Sequence, residues 1–222
     1  MIKAVIFDFD DTLIYTQRIC IKNYISAAKN LNMRVPTERE VVRLFGLPWP
    51  KIVEILWPEA DLETFNEAYV QCRGKEEYEA VKNAGETIKK LKQSFTLGIL
   101  TSRRGSSIYR VMKETGYDKE DFKFIDTHND GKISKPDPKV FNHFKNILDT
   151  EGIIAEETVY VGDAIFDYQA ARDAGLHFIA FINGAYTGEE FIEEGLDKNL
   201  VMKSFKELPG ILAKNFKMEK VA

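Results

Sequence analysis

The chain of 222 residues is 44% hydrophobic and 30% charged, with a formal net charge of −4; that is enough to bury a core in one domain or two small ones and gives no electrostatic case for nucleic acid. No apolar run approaches the roughly 18 residues of a membrane span, and the first residues enter a strand rather than a charged-then-apolar leader, so a cytoplasmic protein, monomer or weak dimer, with neither nucleic-acid nor membrane partners is expected. Cys20 and Cys72 lie far apart, and His128, His143 and His177 lack zinc-type spacing, which points to reduced thiols and away from a disulfide framework or a zinc centre.

The run Ala4-Val5-Ile6-Phe7 reads as a buried parallel strand. Asp8, Asp10 and Asp11 crowd its C-terminal end. Like charges that close raise one another's pKa or call for a cation, and Mg²⁺ takes oxygen ligands from one or two carboxylates plus a phosphate. Residues 15–85 then hold no good strand. They read as helices over about 15–31, 37–45, 49–56 and 61–82, punctuated by Pro36, Gly46, Pro48, Pro50 and Pro58. Loops that long are rarely structureless. An all-helical cap domain over 15–85 is therefore expected above the C-terminal strand ends, where open α/β sheets bind ligands, with hinges near Thr12–Thr16 and Ala80–Gly85.

Strand-like runs follow at about 95–100, 122–125, 158–161 and 177–182, separated by helical patterns at about 104–116, 138–149 and 165–174. An amphipathic helix is expected near 204–216, with Phe205, Leu208, Leu212 and Phe216 on one face. This alternation predicts the α/β class: a doubly wound parallel-sheet (Rossmann-like) core from 1–14 and 86–222, with the helical cap inserted after the first strand.

Each strand end delivers polar side chains to one edge of that sheet. The strand at 95–100 delivers Thr101 and Ser102. The segment Ser134-Lys135-Pro136-Asp137-Pro138 delivers Lys135, and the strand at 158–161 delivers Gly162 and Asp163, with Asp167 four residues on. Taken singly these are a helix cap, a surface lysine or a first-turn acid; taken in order they describe one site. Arg103 and Arg104 are candidate substrate contacts or a helix-start surface pair. Trp49 and Lys51, after Gly46-Leu47-Pro48, either reach the substrate or, for Trp49, pack inside the cap. Asp126, Asp130, Gly131 and Ile133 fit part of a calcium loop, but His128 at its third position and Asp137 at its twelfth do not, and the segment is read as a turn leading to Lys135.

Asp8-Phe9-Asp10-Asp11-Thr12, Thr101 after Ile99-Leu100, Lys135 before Pro136, and Gly162-Asp163 with Asp167 together resemble the four motifs of the haloacid dehalogenase-like hydrolase superfamily. The likeness runs the whole length, because the insert lies where the helical cap of phosphoglycolate phosphatase-like and β-phosphoglucomutase-like members lies. It implies a phosphatase acting on a small phosphorylated metabolite with Mg²⁺ as cofactor. Asp8 would be the nucleophile, forming an aspartyl-phosphate, and Asp10 the acid and then the base. Thr101, Ser102, Lys135 and Arg103 would bind phosphate or substrate. Asp8, Asp10 through its backbone carbonyl, Asp163 and Asp167 would hold the metal. Halide-removing relatives generally lack the second acid of the pair, so Asp10 favours phosphoryl chemistry. Asp11 stands where Gly is commoner. The alternatives are a phosphosugar mutase of the same superfamily and, from another class, a phospho-acceptor signalling or binding protein without turnover.

Overall fold

The computed structural model describes residues 1–73, 78–103, 105–127 and 133–217. The chain opens with β1 (Ala4–Phe7) and the short β2 (Ile14–Tyr15), then enters four helices, α1 (Gln17–Asn30), α2 (Glu38–Val42), α3 (Trp49–Leu56) and α4 (Leu62–Cys72). It returns through β3 (Glu79–Ala80) and α5 (Ala84–Leu91) to β4 (Thr96–Thr101), α6 (Gly105–Thr115) and β5 (Phe124–Thr127). The second half runs α7 (Asn142–Asp149), β6 (Thr158–Gly162), α8 (Ile165–Asp173), β7 (His177–Phe181), α9 (Gly188–Glu193), β8 (Val201–Met202) and α10 (Leu208–Asn215).

Six strands form one parallel sheet in the order β5-β4-β1-β6-β7-β8. The chain winds outward from β1 through β4 to β5, then restarts at β6 on the other side of β1. The strand order therefore reverses between β1 and β6, which opens a crevice at their C-terminal ends. The two-residue side-chain period explains why β1 is wholly apolar. Val5 and Phe7 join a core with Ile88 and Leu91 of α5, Ile108 and Val111 of α6, and Leu208 and Leu212 of α10. Ala4 and Ile6 join the opposite core, with Phe144 and Leu148 of α7, Tyr168 and Ala171 of α8, and Phe191 of α9. Helices thus cover both faces, as the alternation predicts.

Helices α1–α4 bury a separate apolar cluster, with Tyr24, Ile52, Val53, Trp57 and Phe65 inside it. Trp57 donates its indole N–H to the Arg34 carbonyl at 2.6 Å. The α2 start carries a reciprocal cap, in which Thr37 accepts from the Glu40 N–H while Glu40 accepts from the Thr37 N–H. The expected helix over 61–82 ends at Cys72, and the return segment pairs instead with the outgoing one. Ile14 sits opposite Ala80 and Tyr15 opposite Glu79 in an antiparallel ribbon, continued by the Val81 N–H to the Leu13 carbonyl at 2.8 Å. The conformationally unusual residue on the return is Asn83, at φ 67°; Gly85 lies inside α5. The six-residue helix α9 and the two-residue edge strand β8 are too short to leave a periodic signal; α5, with Ala84, Ile88 and Leu91 buried at helical spacing, is a helix the sequence reading does not include. Among the described residues no helix is long and apolar enough to cross a membrane.

Candidate active site

β1 delivers Asp8 into the crevice. Its backbone N–H donates to the Val161 carbonyl on β6 at 2.8 Å, so the residue stays in register with the sheet and its side chain emerges between β1 and β6. Lys135, only 2% exposed, places Nζ 2.6 Å from Asp8 Oδ1 and 2.6 Å from Asp167 Oδ1. Nζ also lies 5.3 Å from the centre of the Tyr160 ring. A buried ammonium needs such partners, because desolvation without them is expensive.

Asp167 is the third residue of α8, where its carboxylate turns back to cap the helix. Oδ2 accepts from the Ala164 N–H at 3.1 Å and Oδ1 from the Tyr160 hydroxyl at 3.3 Å. Gly162 makes this possible: a Cβ there would stand 2.7 Å from the Asp167 carboxylate. Asp163, one residue on, accepts from the Thr12 hydroxyl at 3.2 Å.

Burial pushes the Asp8 carboxyl up to about 7; Lys135 pulls against this, and the Asp167 charge adds to it. Asp163 is held well above the usual carboxylate range, by burial first and then by Asp11, Asp167 and Asp8. Lys135 is held above its ordinary value by Asp167 and Asp8, although burial, the largest influence on it, pulls the other way. Asp8, Asp163 and Asp167 each offer an oxygen within 4.8 Å of the others. Three buried carboxylates against one lysine leave excess negative charge in a low-dielectric place, with hard oxygen donors only. That donor set fits a hard divalent cation of the Mg²⁺ class.

Asp10 belongs to a different contact. Arg103 brackets its carboxylate, with Nε 3.2 and 3.0 Å from the two oxygens and the guanidinium Nη2 paired to Oδ1. The guanidinium also lies 5.9 Å from the Phe9 ring centre and 5.0 Å from that of Tyr78. Arg103 therefore faces Asp10, a pairing its position in the sequence does not reveal. Thr101, 1% exposed at the end of β4, accepts from the Arg103 N–H at 3.0 Å. Ser102 donates to the Gly46 carbonyl of the insert at 3.4 Å.

Asp11 adopts φ 59°, the left-handed region where glycine is easiest. Its carboxylate accepts from the Thr16 N–H, the Thr16 hydroxyl and the Gln17 N–H at 2.8, 2.7 and 3.0 Å. The acid thus ties the linker to the start of α1. Trp49 packs on Phe65 and Tyr69 inside the insert, with ring centres 6.1 Å apart in each case. Lys51 is exposed and pairs with Glu54 at 2.9 Å. Arg104, and His128, Asp130 and Gly131 of the calcium-loop pattern, lie outside the described residues. Asp126 lies 2.9 Å from His143 Nδ1, and Asp137 accepts from the Lys139 N–H at 2.9 Å, so each has a partner of its own. Tyr160, which touches both Lys135 and Asp167, gives no sequence signal, because a tyrosine inside an apolar strand reads as core.

Comparison with known proteins bears on the family and the fold. The family model described as haloacid dehalogenase-like hydrolase matches residues 5–181. Pyrophosphatase PpaX of Halalkalibacterium halodurans is 28% identical over 218 residues, which cover 95% of this chain and 97% of that protein. A hydrolase from Pseudomonas syringae superposes with a TM-score of 0.80 at 22% identity, covering 97% of this chain and 100% of the other. CbbY from Rhodobacter sphaeroides, solved in complex with xylulose-(1,5)bisphosphate, superposes at 0.74 with 20% identity, covering 94% and 96%. At such identities the two structures establish the shared fold.

Proposed function

The chain belongs to the haloacid dehalogenase-like hydrolases, and on that premise we propose that it is a Mg²⁺-dependent phosphatase that hydrolyses a small phosphate monoester through a phosphorylated Asp8. The observation that carries this reading is the buried Asp8 carboxylate, with Lys135 Nζ 2.6 Å from one oxygen at the crevice where the strand order reverses. Lys135 engages Oδ1 and leaves Oδ2 to attack. A bond forms between Asp8 Oδ2 and phosphorus, the ester P–O bond breaks, and the leaving alkoxide takes a proton from Asp10. Water then attacks phosphorus, gives its proton to Asp10 and frees Asp8 and inorganic phosphate.

Lys135 Nζ and the Thr101 hydroxyl are placed to bind phosphoryl oxygens and oppose the charge they carry. Asp8, the Asp10 carbonyl and Asp163, with Asp167 beside them, would hold Mg²⁺, whose chemistry there is to neutralise the incoming dianion. Asp10 works as acid and base only when Arg103 yields its carboxylate, so substrate entry and that exchange belong together. The helical insert over 15–85 acts as the cap, excluding bulk water and shaping the leaving-group pocket. Trp49 and Lys51 take structural and surface roles there.

The name of the PpaX relative supports a second reading in which the scissile bond is that of inorganic pyrophosphate; the residues are unchanged, and the group that leaves is inorganic phosphate in place of an alkoxide. The test is phosphate release by purified protein with Mg²⁺ from p-nitrophenyl phosphate, phosphoglycolate, glucose 1-phosphate and pyrophosphate. Turnover of esters is expected, and turnover of pyrophosphate alone selects the second reading. Conversion of glucose 1-phosphate to glucose 6-phosphate without phosphate release would replace both with the mutase. Tight phosphate-analogue binding without turnover would leave a phospho-acceptor protein.

A further inference from the structure

One turn of the insert, residues 43–46, touches three different loops of the core. After α2, the Arg43 guanidinium lies 4.7 Å from the centre of the Tyr186 ring and pairs with Glu190 Oε1. The Tyr186 hydroxyl donates to the Arg43 carbonyl at 2.8 Å. Glu190 is itself held in place, since its Oε2 accepts from the Thr187 N–H at 2.8 Å at the start of α9. The Gly46 carbonyl accepts from the Ser102 hydroxyl at 3.4 Å. Gly46 sits at φ +99°, and a Cβ on it would lie 3.4 Å from the Ala164 Cβ. These partners follow β4, β6 and β7. In the sheet order β4-β1-β6-β7, the turn therefore arches over the ends of β1 and β6, which carry Asp8 and Asp163.

The Arg43 and Glu190 side chains are 29% and 30% exposed, shielded enough for the charge pair and the ring contact to reinforce each other. The paired ribbon at β2 and β3 holds the insert at one side but does not by itself close it. We propose that Arg43 is a positioning residue: its clasp on Tyr186 and Glu190 sets the fraction of molecules with the insert seated over the site, and through that the rate of the reaction. This rests on the phosphatase reading above for its kinetic arm only. Arg43 touches neither Asp8 nor the phosphoryl group; it acts through the turn that carries Gly46.

The test compares Arg43→Ala, Arg43→Lys and Glu190→Gln with the intact protein. Gln at position 190 keeps the helix-start acceptor and turns an NH2 donor toward Arg43 in place of Oε1, so the charge and the acceptor facing Arg43 are both lost. With p-nitrophenyl phosphate, Arg43→Ala should lower kcat/KM by about tenfold, the combined scale of a shielded ion pair and a cation–π contact, and Glu190→Gln, which leaves the ring contact, by about threefold. The double variant should lose little more than Arg43→Ala alone, because that substitution already removes the ion pair. Arg43→Lys, which keeps the charge without the planar fork, should fall between. Without substrate, hydrogen exchange should quicken at 43–47 and 183–187 while β1, β4 and β6 keep their protection. Unchanged kcat/KM with unchanged exchange overturns the proposal. So does a loss of activity matched by a general loss of protection and melting temperature, which would make Arg43 merely structural. If the intact protein hydrolyses no ester, the phosphatase reading fails, and the exchange measurement still decides the clasp.

Discussion

Lys135 stands between two carboxylates with almost no water around it, so removing it should be felt in folding as well as chemistry. Lys135→Met would leave Asp8 and Asp167 buried together without a cation, a loss of about 3–5 kcal/mol on the scale of breaking a buried pair. Urea unfolding at pH 8 without metal should register it. A variant as stable as the parent would show that the ammonium is not what makes this buried arrangement tolerable. Asp8→Asn is the opposite case. It removes the reacting oxygen but keeps the shape, so kcat should fall by at least about 10³-fold with the fold intact. Retention of a tenth of the activity would sink the nucleophile assignment. Gly162→Ala tests the supporting geometry: the added methyl must displace the Asp167 carboxylate or the backbone. Activity should drop at least about tenfold, on the scale of a misplaced catalytic group, and a crystal structure should show Asp167 moved off Lys135. At this scale the sequence is informative where a strand ends in a residue type that core packing does not want, as at Asp8, Thr101 and Asp163, and where a lysine stands in a Pro-rich loop beside them, as at Lys135. It is silent where a role depends on what lies across the sheet, as for Tyr160 against Lys135 and Arg103 against Asp10.

The linkers are the least legible elements. Two-residue strands have no period to read, so the β2–β3 ribbon is visible only once its partners are placed. The helix expected over 61–82 overshoots: α4 ends at Cys72, and residues 73–77 offer no apolar side chain to continue its face. Asp11 is the residue on which the outgoing linker turns. It pairs a positive φ with three hydrogen bonds to Thr16 and Gln17. Asp11→Gly keeps the backbone freedom and loses the acceptor, whereas Asp11→Ala loses both. Alanine at positive φ gives up more than its stiffer unfolded chain returns, so melting temperatures should rank wild type above Asp11→Gly above Asp11→Ala. Hydrogen exchange at Thr16 and Gln17 should quicken in both variants. If the glycine variant matches wild type in exchange, the carboxylate does not hold the linker, and its presence there has only a local backbone meaning.

For the molecule as a whole, the alternation of apolar strands and amphipathic helices was enough to predict a parallel sheet covered on both faces, because each period reports the surface an element must bury. Strand order was not legible, and strand order is what brings β1 and β6 together and concentrates three acids at one crevice. That concentration ties global stability to pH. The folded carboxyl of Asp8 is raised to about 7 and that of Asp163 well above the usual range, while in the unfolded chain both titrate near about 3.9. The folded state thus holds these protons more tightly than the unfolded state does. Their contribution favours folding fully below about pH 4 and is lost as pH rises through the folded values. For Asp8 the window lies between about 4 and 7; the contribution of Asp163 has the same sign. Metal-free protein should therefore lose stability from pH 5.5 to pH 8, a range in which Asp11, its carboxyl raised by burial to about 6, contributes with the same sign. Asp163→Asn, which cannot ionise, should lose less and melt higher than the parent at pH 8. Mg²⁺ binding to the ionised set should reverse the trend. With the ion at about 100 times its dissociation constant, the gain is about 2.7 kcal/mol, present at pH 8 and shrinking toward pH 5.5 as protons compete. Calorimetry over that range, with chelator and with Mg²⁺, would decide the matter. A melting temperature indifferent to Mg²⁺ at pH 8, or an Asp163→Asn protein that keeps the full Mg²⁺ response, would mean that the acidic set is not the metal site.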